Sequence, residues 1–522
     1  MKLSYLHEVL EQSALRHPDL PALYFSEATL NYLQLWQRVQ VCAAELSSRF
    51  RVGDRVAVLA WNSPDYLVLI YAASVARLIL VPLNTRLART EWDYQLHSTG
   101  ASALFLDEVF VEQFEDIGSG AKPVLMGLSE FSAGLGDTDV AANQYQSLIA
   151  QGSQSVEVPQ VAAEVEHSDL PAWILHTSGS TGKPKGAVLT HRSFLAGLES
   201  AEQGRPVHPR DGYLYPFPLF HVSAHNVFLQ HKHGACVYLL RSFDADAVLE
   251  LCRSGKVTSM SLAPTMLSML VDYPDFDYAI FERVRAIGYG AAAMPLDLMR
   301  EVLENTPLEL SQSYGMTELS GSVAFLLPED HRIGLTNPGL MRSVGRPVKG
   351  VELTIRDDEG HILPAFHAGE VCVRADQMML GYYRNEAETV KAVGEGYLKT
   401  GDIGFLDERG YLTLVDRKKD MIISGGENVA SREVEDVLNG HTAVARCAVV
   451  GAPHERWGEI VCAFVVLKAP IEAAELDDHC RRVLAGFKCP KRYFTLTELP
   501  LNAAGKIDKP ALRSMIEESA EL

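Results

Sequence analysis

Thr177-Ser178-Gly179-Ser180-Thr181-Gly182-Lys183-Pro184-Lys185-Gly186 places hydroxyls, glycines and two cations in ten positions, between the apolar runs Ala172 to His176 and Gly186 to Thr190. Glycines let backbone N–H groups converge on an anion, hydroxyls donate further hydrogen bonds, and lysine supplies charge, so the stretch suits phosphates. It is not a Walker A loop: the GxxxxGK[ST] spacing is absent, and Pro184 biases Lys183 away from the helical conformation entered there. A mobile solvent loop is the alternative that composition alone leaves open. Working outward, Arg55 to Ala60 and Ala103 to Asp107 are short apolar runs flanking the longer apolar stretch Tyr66 to Leu78. This is β-α-β texture with a largely parallel, buried sheet, and a helix is expected from Ser193. From Val351 onward β-rich segments, Val351 to Asp357 and Glu370 to Ala375, alternate with turns and suggest an antiparallel unit.

The polar cluster Asp416-Arg417-Lys418-Lys419-Asp420 precedes Met421-Ile422-Ile423-Ser424-Gly425-Gly426 and marks a hinge. The expected fold is therefore α/β: a large N-terminal domain, 1–415, of layered βαβ subdomains plus a β-rich subdomain, a hinge at 416–420, and a small α+β C-terminal domain, 421–522. At 522 residues several structural units are the natural expectation. Hydrophobic residues at 47% and charged residues at 22% are ordinary globular composition, and no repeat is evident. The net charge of −20 argues against broad nucleic-acid binding, which needs clustered Lys and Arg. The eight cysteines contain no CxxC pair and suit reduced cytosolic thiols. No run approaches the ~18 apolar residues of a membrane span, so a cytoplasmic protein without an integral membrane segment is expected, peripheral contact staying open.

Three further constellations carry chemistry. In Gln312-Ser313-Tyr314-Gly315-Met316-Thr317-Glu318, on an expected loop, Tyr314 could stack on a base, Thr317 bind a phosphate and Glu318 hold Mg²⁺, a hard cation that takes carboxylate and phosphate oxygens together. A buried tyrosine near a helix-capping Thr-Glu is the plainer alternative. Thr400-Gly401-Asp402, with Arg417 downstream, offers a carboxylate and a guanidinium for two ribose hydroxyls, although Gly-Asp is usually just a turn. Gly505-Lys506 leaves one lysine on a flexible loop, and spacing alone does not make it catalytic.

These segments, together with Arg417 to Glu435, occur in the order seen in the adenylate-forming superfamily of acyl-CoA synthetases, adenylation domains and luciferases, and the chain resembles that family from about 170 to 510. The resemblance implies an ATP-dependent acyl-CoA synthetase that activates a carboxylic acid as acyl-AMP, releases pyrophosphate and passes the acyl group to coenzyme A. It implies that the 177–186 loop, including Ser178, Gly179, Ser180, Thr181, Gly182, Lys183 and Lys185, binds the β- and γ-phosphates. Gly290, Ala291, Ala292, Tyr314 and Gly315 would border the nucleotide, with Thr317 on the α-phosphate, Glu318 on Mg²⁺, and Asp402 and Arg417 on ribose. Lys506 would meet the carboxylate and α-phosphate in the transition state, where a positioned cation acts most effectively. The resemblance further implies rotation of a mobile C-terminal domain about Lys419, which withdraws Lys506 and brings Gly425 and Gly426 to the pantetheine tunnel. Lys488 and Lys491 are candidate partners for the phosphates of coenzyme A, solvated surface being the equal alternative.

Phe220-His221 stands where amino-acid-activating relatives carry an Asp for the substrate amino group, which makes amino acids poor candidates. The resemblance makes His221 a gate beside the carboxylate, a satisfied core histidine being the alternative. The acyl pocket would draw on Val222, His225, Gly288, Ala293 and Met294, and a fatty or related acyl acid is the expected substrate. Ser223-Ala224-His225-Asn226 departs from the Gly- and Leu-containing pattern of fatty-acyl enzymes, so a polar feature on the substrate is conceivable, unless His225 and Asn226 face away. Ala430-Ser431 is a second departure, on the coenzyme A side. Rival readings are an acyl-AMP ligase that loads a carrier protein and a catalytically inactive adenylate-binding scaffold. A homodimer is left open.

Overall fold

Strands Pro171–Thr177 and Lys185–Thr190 form an antiparallel hairpin in which Thr177 faces Lys185. The glycine-rich stretch is thus the connection across its open end, as expected. The computed structural model describes residues 3–114, 124–128, 167–177, 183–274, 276–292, 294–502 and 505–520. Among the candidate site residues, Ser178, Gly179, Ser180, Thr181, Gly182 and Ala293 lie outside the described residues.

The hairpin belongs to a seven-stranded sheet in the order Gly381–Tyr382, Lys185–Thr190, Pro171–Thr177, Ile79–Pro82, Arg55–Leu59, Ala103–Leu106, Val124–Gly127. From Pro171–Thr177 outward the pairings are parallel. The apolar run from Tyr66 is helix Pro64–Val75, opened by Ser63, which accepts from the Tyr66 N–H, and by Pro64 in the first turn. Tyr66 to Ser74 are all buried, which is why the helix shows no polar face. Helix His191–Gly204 begins two residues before the expected Ser193, because Thr190 and Ser193 cap its first turn reciprocally.

A second, nine-stranded sheet has a parallel centre: Cys236–Leu239, Gly212–Tyr215, Ser259–Leu262, Ala286–Gly290 and Glu309–Met316. Helices Ala245–Arg253 and Leu296–Asn305 cover one face, packing Val248, Leu249, Met299 and Val302 on Met260, Ile287 and Leu310. Each such side chain contributes roughly 1.5–3 kcal/mol by burial. One expectation is corrected here. Gln312 to Glu318 is not a loop: it is the end of strand Glu309–Met316 followed by a single 3₁₀ turn, Thr317–Leu319. The strand is central, so pairing on both sides overrides its weak propensity. Gly315 belongs there because a Cβ would lie 1.9 Å from the Gly321 carbonyl oxygen on the next strand.

The chain divides into two compact units, Met1–Glu352 with Arg374–Leu398, and Leu353–Val373 with Lys399–Leu522. In the second, Tyr397–Leu406 pairs antiparallel with Leu412–Arg417, matching the antiparallel texture read after Val351. Of the 416–420 segment, Asp416 and Arg417 end strand Leu412–Arg417, and Lys418 to Asp420 form the turn toward Ile422–Ser424. Beyond it, Val444–His454 and Gly458–Leu467 form a long antiparallel pair. Helices Ser431–Asn439 and Ala473–Arg481 pack on one face through Val434, Leu438, Leu476 and Cys480. Leu512 and Ile516 of helix Lys509–Ala520 pack on the other. Among the described residues, no helix is long and apolar enough to cross a membrane.

Candidate active site

The hairpin, the central strand of the larger sheet and the short strand Gly381–Tyr382 converge on Glu318. Glu318 is 5% exposed, and one carboxylate oxygen, Oε1, accepts from Thr177 Oγ1 at 3.0 Å and from the Tyr382 hydroxyl at 3.0 Å. The backbone fixes the carboxylate from both sides. Glu318 lies in the 3₁₀ turn that follows the sheet strand, and its carbonyl accepts from Met379 N–H at 2.8 Å. Burial, then the Glu318 charge, pushes the Tyr382 phenol far above its ordinary range, so it remains a donor. Lys185 Nζ sits 2.6 Å from Glu388 and 4.8 Å above the Tyr382 ring. The bonds from Lys185 and then Lys391 hold the Glu388 carboxyl down at about 2. Lys183 is exposed. Sequence reading missed Tyr382 and Glu388, which lie about 200 residues from the hairpin and touch it only because Gly381–Tyr382 pairs with Ala187 and Val188. Their immediate neighbours carry no chemical signal.

Beside this group, Gly290 lies opposite Ser313 in the parallel pair, next to Tyr314, which is buried. Ala291 holds φ +66°, a left-handed conformation that costs a non-glycine residue about 1 kcal/mol. Ala291 and Ala292 are exposed and Met294 is buried. His221 packs edge-on against Phe220 at 4.6 Å and leads into the short turn Val222–Ala224. His225 is buried, its Nδ1 2.9 Å from the Val222 carbonyl. Burial, then the charge of Arg205, pushes its imidazole down to about 4, so it is neutral near pH 7. Asn226 is also buried, and its Oδ1 accepts from Arg205 at 3.2 Å. Arg205 was also missed, since a lone arginine just past a helix end has no local feature to distinguish it.

In the second unit, Asp402 and Arg417 are cross-strand partners, Arg417 Nε 2.8 Å from Asp402 Oδ1. Lys506 sits on a turn in which Asn502 N–H donates to the Lys506 carbonyl and Asn502 Oδ1 accepts from its N–H. Desolvation, then the Arg417 and Lys419 charges, draws the Lys506 ammonium below the ordinary lysine range, while Asp402 acts against them. Gly425 and Gly426, at φ +63° and +85°, make the two-residue turn between Ile422–Ser424 and Glu427–Val429, a geometry that favours glycine at both places. Lys488 is paired with Glu433 at 2.6 Å, and Lys491 donates to the Gly486 carbonyl.

Residues 10–383 match the family described as AMP-binding enzyme, and residues 433–506 match the AMP-binding enzyme C-terminal domain. The fatty acid–[acyl-carrier-protein] ligase ScoC of Streptomyces coeruleorubidus is 33% identical, over 98% of this chain and 96% of that protein. A 2-succinylbenzoate–CoA ligase of Geobacillus sp. (strain WCH70) is 33% identical, over 97% of each. Among solved structures, the O-succinylbenzoate coenzyme A synthetase of Bacillus subtilis in complex with ATP and magnesium ion superposes with a TM-score of 0.83 at 30% identity, covering 98% of this chain and 99% of that one. The chain belongs to the AMP-binding enzyme family, and within the adenylate-forming superfamily it is an acyl-CoA synthetase of the AMP-forming type.

Proposed function

We propose that the protein activates a fatty or related acyl acid as acyl-AMP, with release of pyrophosphate, and transfers the acyl group to coenzyme A. The observation that carries this reading is the Glu318 carboxylate, buried and bonded to Thr177 at the edge of the glycine-rich connection, in the turn that follows the strand bearing Tyr314. A buried carboxylate oxygen whose partners are hydroxyls fits a magnesium ion, which prefers oxygen donors and shares them with nucleotide phosphates. Thr177, Lys183, Lys185 and the connection between them would hold the ATP phosphates. Asp402 and Arg417 would hold ribose, and Thr317 and Lys506 would stabilise charge developing at the α-phosphate. The substrate carboxylate is itself the nucleophile, so no activated side chain is required; these residues position and neutralise. The C-terminal segment after 416–420 would turn about Lys419 between the two half-reactions, exchanging Lys506 for Gly425 and Gly426, with Lys488 and Lys491 toward coenzyme A.

The relatives leave the acid broad, since one is named for fatty acids and others for 2-succinylbenzoate. A second reading, transfer to a carrier protein, is favoured by the name of the Streptomyces relative. Pyrophosphate release from ATP and Mg²⁺ across aliphatic, aromatic and sterol-derived acids, with and without coenzyme A, decides between them. Turnover that needs both acid and coenzyme A supports the proposal. Acyl-AMP that accumulates regardless of coenzyme A supports the carrier-protein acceptor.

A further inference from the structure

Helix His191–Gly204 ends at Arg205, whose side chain turns inward beneath the strands that border the candidate acyl pocket. Gly288 makes room for it: a Cβ there would lie 2.6 Å from both Nε and Cζ of Arg205. Its Nη1 donates to Asn226 Oδ1 and Ser261 Oγ, each at 3.2 Å. Its Nη2 donates to the Tyr289 carbonyl at 3.2 Å and to Ser313 Oγ at 2.9 Å. The Phe325 ring lies 5.9 Å away. These partners are all neutral, and among the described residues no carboxylate pairs with this guanidinium. Arg205 Nε and His225 Nε2 are both shielded and without a hydrogen-bond partner.

Arg205 is half-buried with Nε fully shielded, and a guanidinium drawn from water without a counter-charge is unfavourable, a cost that neutral hydrogen bonds offset only in part. Such a cation suits a site whose missing anion arrives with the ligand. Arginine also matches carboxylate geometry better than any other side chain. The placement is consistent, because Gly288 is two strand positions, roughly 7 Å, from Gly290, where the reacting end of the substrate would meet the nucleotide.

We propose that Arg205 is a specificity-determining residue that pairs with a second carboxylate on the acid substrate, so that the enzyme activates compact dicarboxylic acids in preference to acids with a plain hydrocarbon end. This rests on the acyl-activating reading above and narrows its substrate class. The second carboxylate takes no part in bond making. It supplies the charge that Arg205 lacks and thereby orients the first.

The test compares matched acids in the intact enzyme with ATP, Mg²⁺ and coenzyme A: adipate against hexanoate, and 3-(2-carboxyphenyl)propionate against 3-phenylpropionate. The wild-type protein is expected to favour the diacid of at least one pair by about tenfold or more in kcat/KM. Arg205→Met is expected to lower turnover of that diacid about a hundredfold and to reverse the preference, with Arg205→Lys falling between. A purely structural Arg205 would lower both members of a pair equally, and that result overturns the proposal. So does a wild-type preference for both monoacids, a measurement that needs no variant to fold. If no acid of any class drives pyrophosphate release, the acyl-activating reading itself fails; if monoacids alone are turned over with coenzyme A, only the role of Arg205 does.

Discussion

Glu318 and Arg205 are both charged side chains held by neutral partners, one a carboxylate among hydroxyls and the other a guanidinium among amide, hydroxyl and carbonyl oxygens. The carboxylate stands beside a run of residues whose chemistry is contiguous in sequence. The guanidinium stands among residues drawn from five separate segments: a helix end, the Asn226 helix and three strands. In the proposed function the shared reagent, a nucleotide with its metal, would be served in part by a compact motif. The surroundings of Arg205, which the proposal places on the acyl side, are assembled piecewise, an arrangement that would let one fold take different acids.

The largest effect expected lies at Lys506. Lys506→Ala should lower adenylation about a thousandfold, in line with removing one group aimed at developing charge. Thioester formation from supplied acyl-AMP should be unchanged. Loss of both steps in a folded variant would break the assignment of nucleotide-side charge to the first half-reaction. Glu318→Gln should follow, at about a hundredfold, or roughly 2.7 kcal/mol of barrier, with a higher Mg²⁺ concentration needed for half-maximal rate. If magnesium titrations of variant and wild type coincide, Glu318 does not serve the metal.

A pH series sharpens the contrast from the other side. Burial pushes His225, His231 and His331 down to about 4 and His191 to about 3. Below the unfolded value of about 6.5 the unfolded chain takes up these protons while the folded chain does not. Stability is therefore complete above pH 6.5 and is lost as pH falls toward 4, and thermal unfolding midpoints should drop by several degrees across that window. A flat profile would mean that these histidines are hydrated. Smallest of all, Tyr382→Phe removes one of the two donors to Glu318 Oε1 found among the described residues and should change the adenylation rate severalfold, about 1 kcal/mol; no change would mean that the Tyr382 hydroxyl does not anchor the carboxylate.

The phosphate-suited stretch at 177–186 was legible beforehand because its requirements are local. Glycine, hydroxyl and lysine must alternate within ten residues to wrap phosphate, and that pattern survives without knowledge of the fold. The strand-loop-strand setting of the connection was equally plain, since apolar runs flank it on both sides. Gln312 to Glu318 was misplaced on a loop because a central strand rich in Gly, Ser and Gln is stabilised by its neighbours rather than by its own propensities.

The amino-acid sequence by itself determined the layered α/β class, the family, the phosphate-suited connection and the identity of Glu318 as a candidate metal ligand, because each depends on side chains a few positions apart. Tertiary structure decided that Tyr382 and Thr177 share one oxygen of Glu318, that Glu388 meets Lys185, and that Arg205 enters the space left by Gly288. Those contacts join residues tens to hundreds of positions apart. Strand order and helix exit, which no local pattern encodes, bring them within hydrogen-bonding distance.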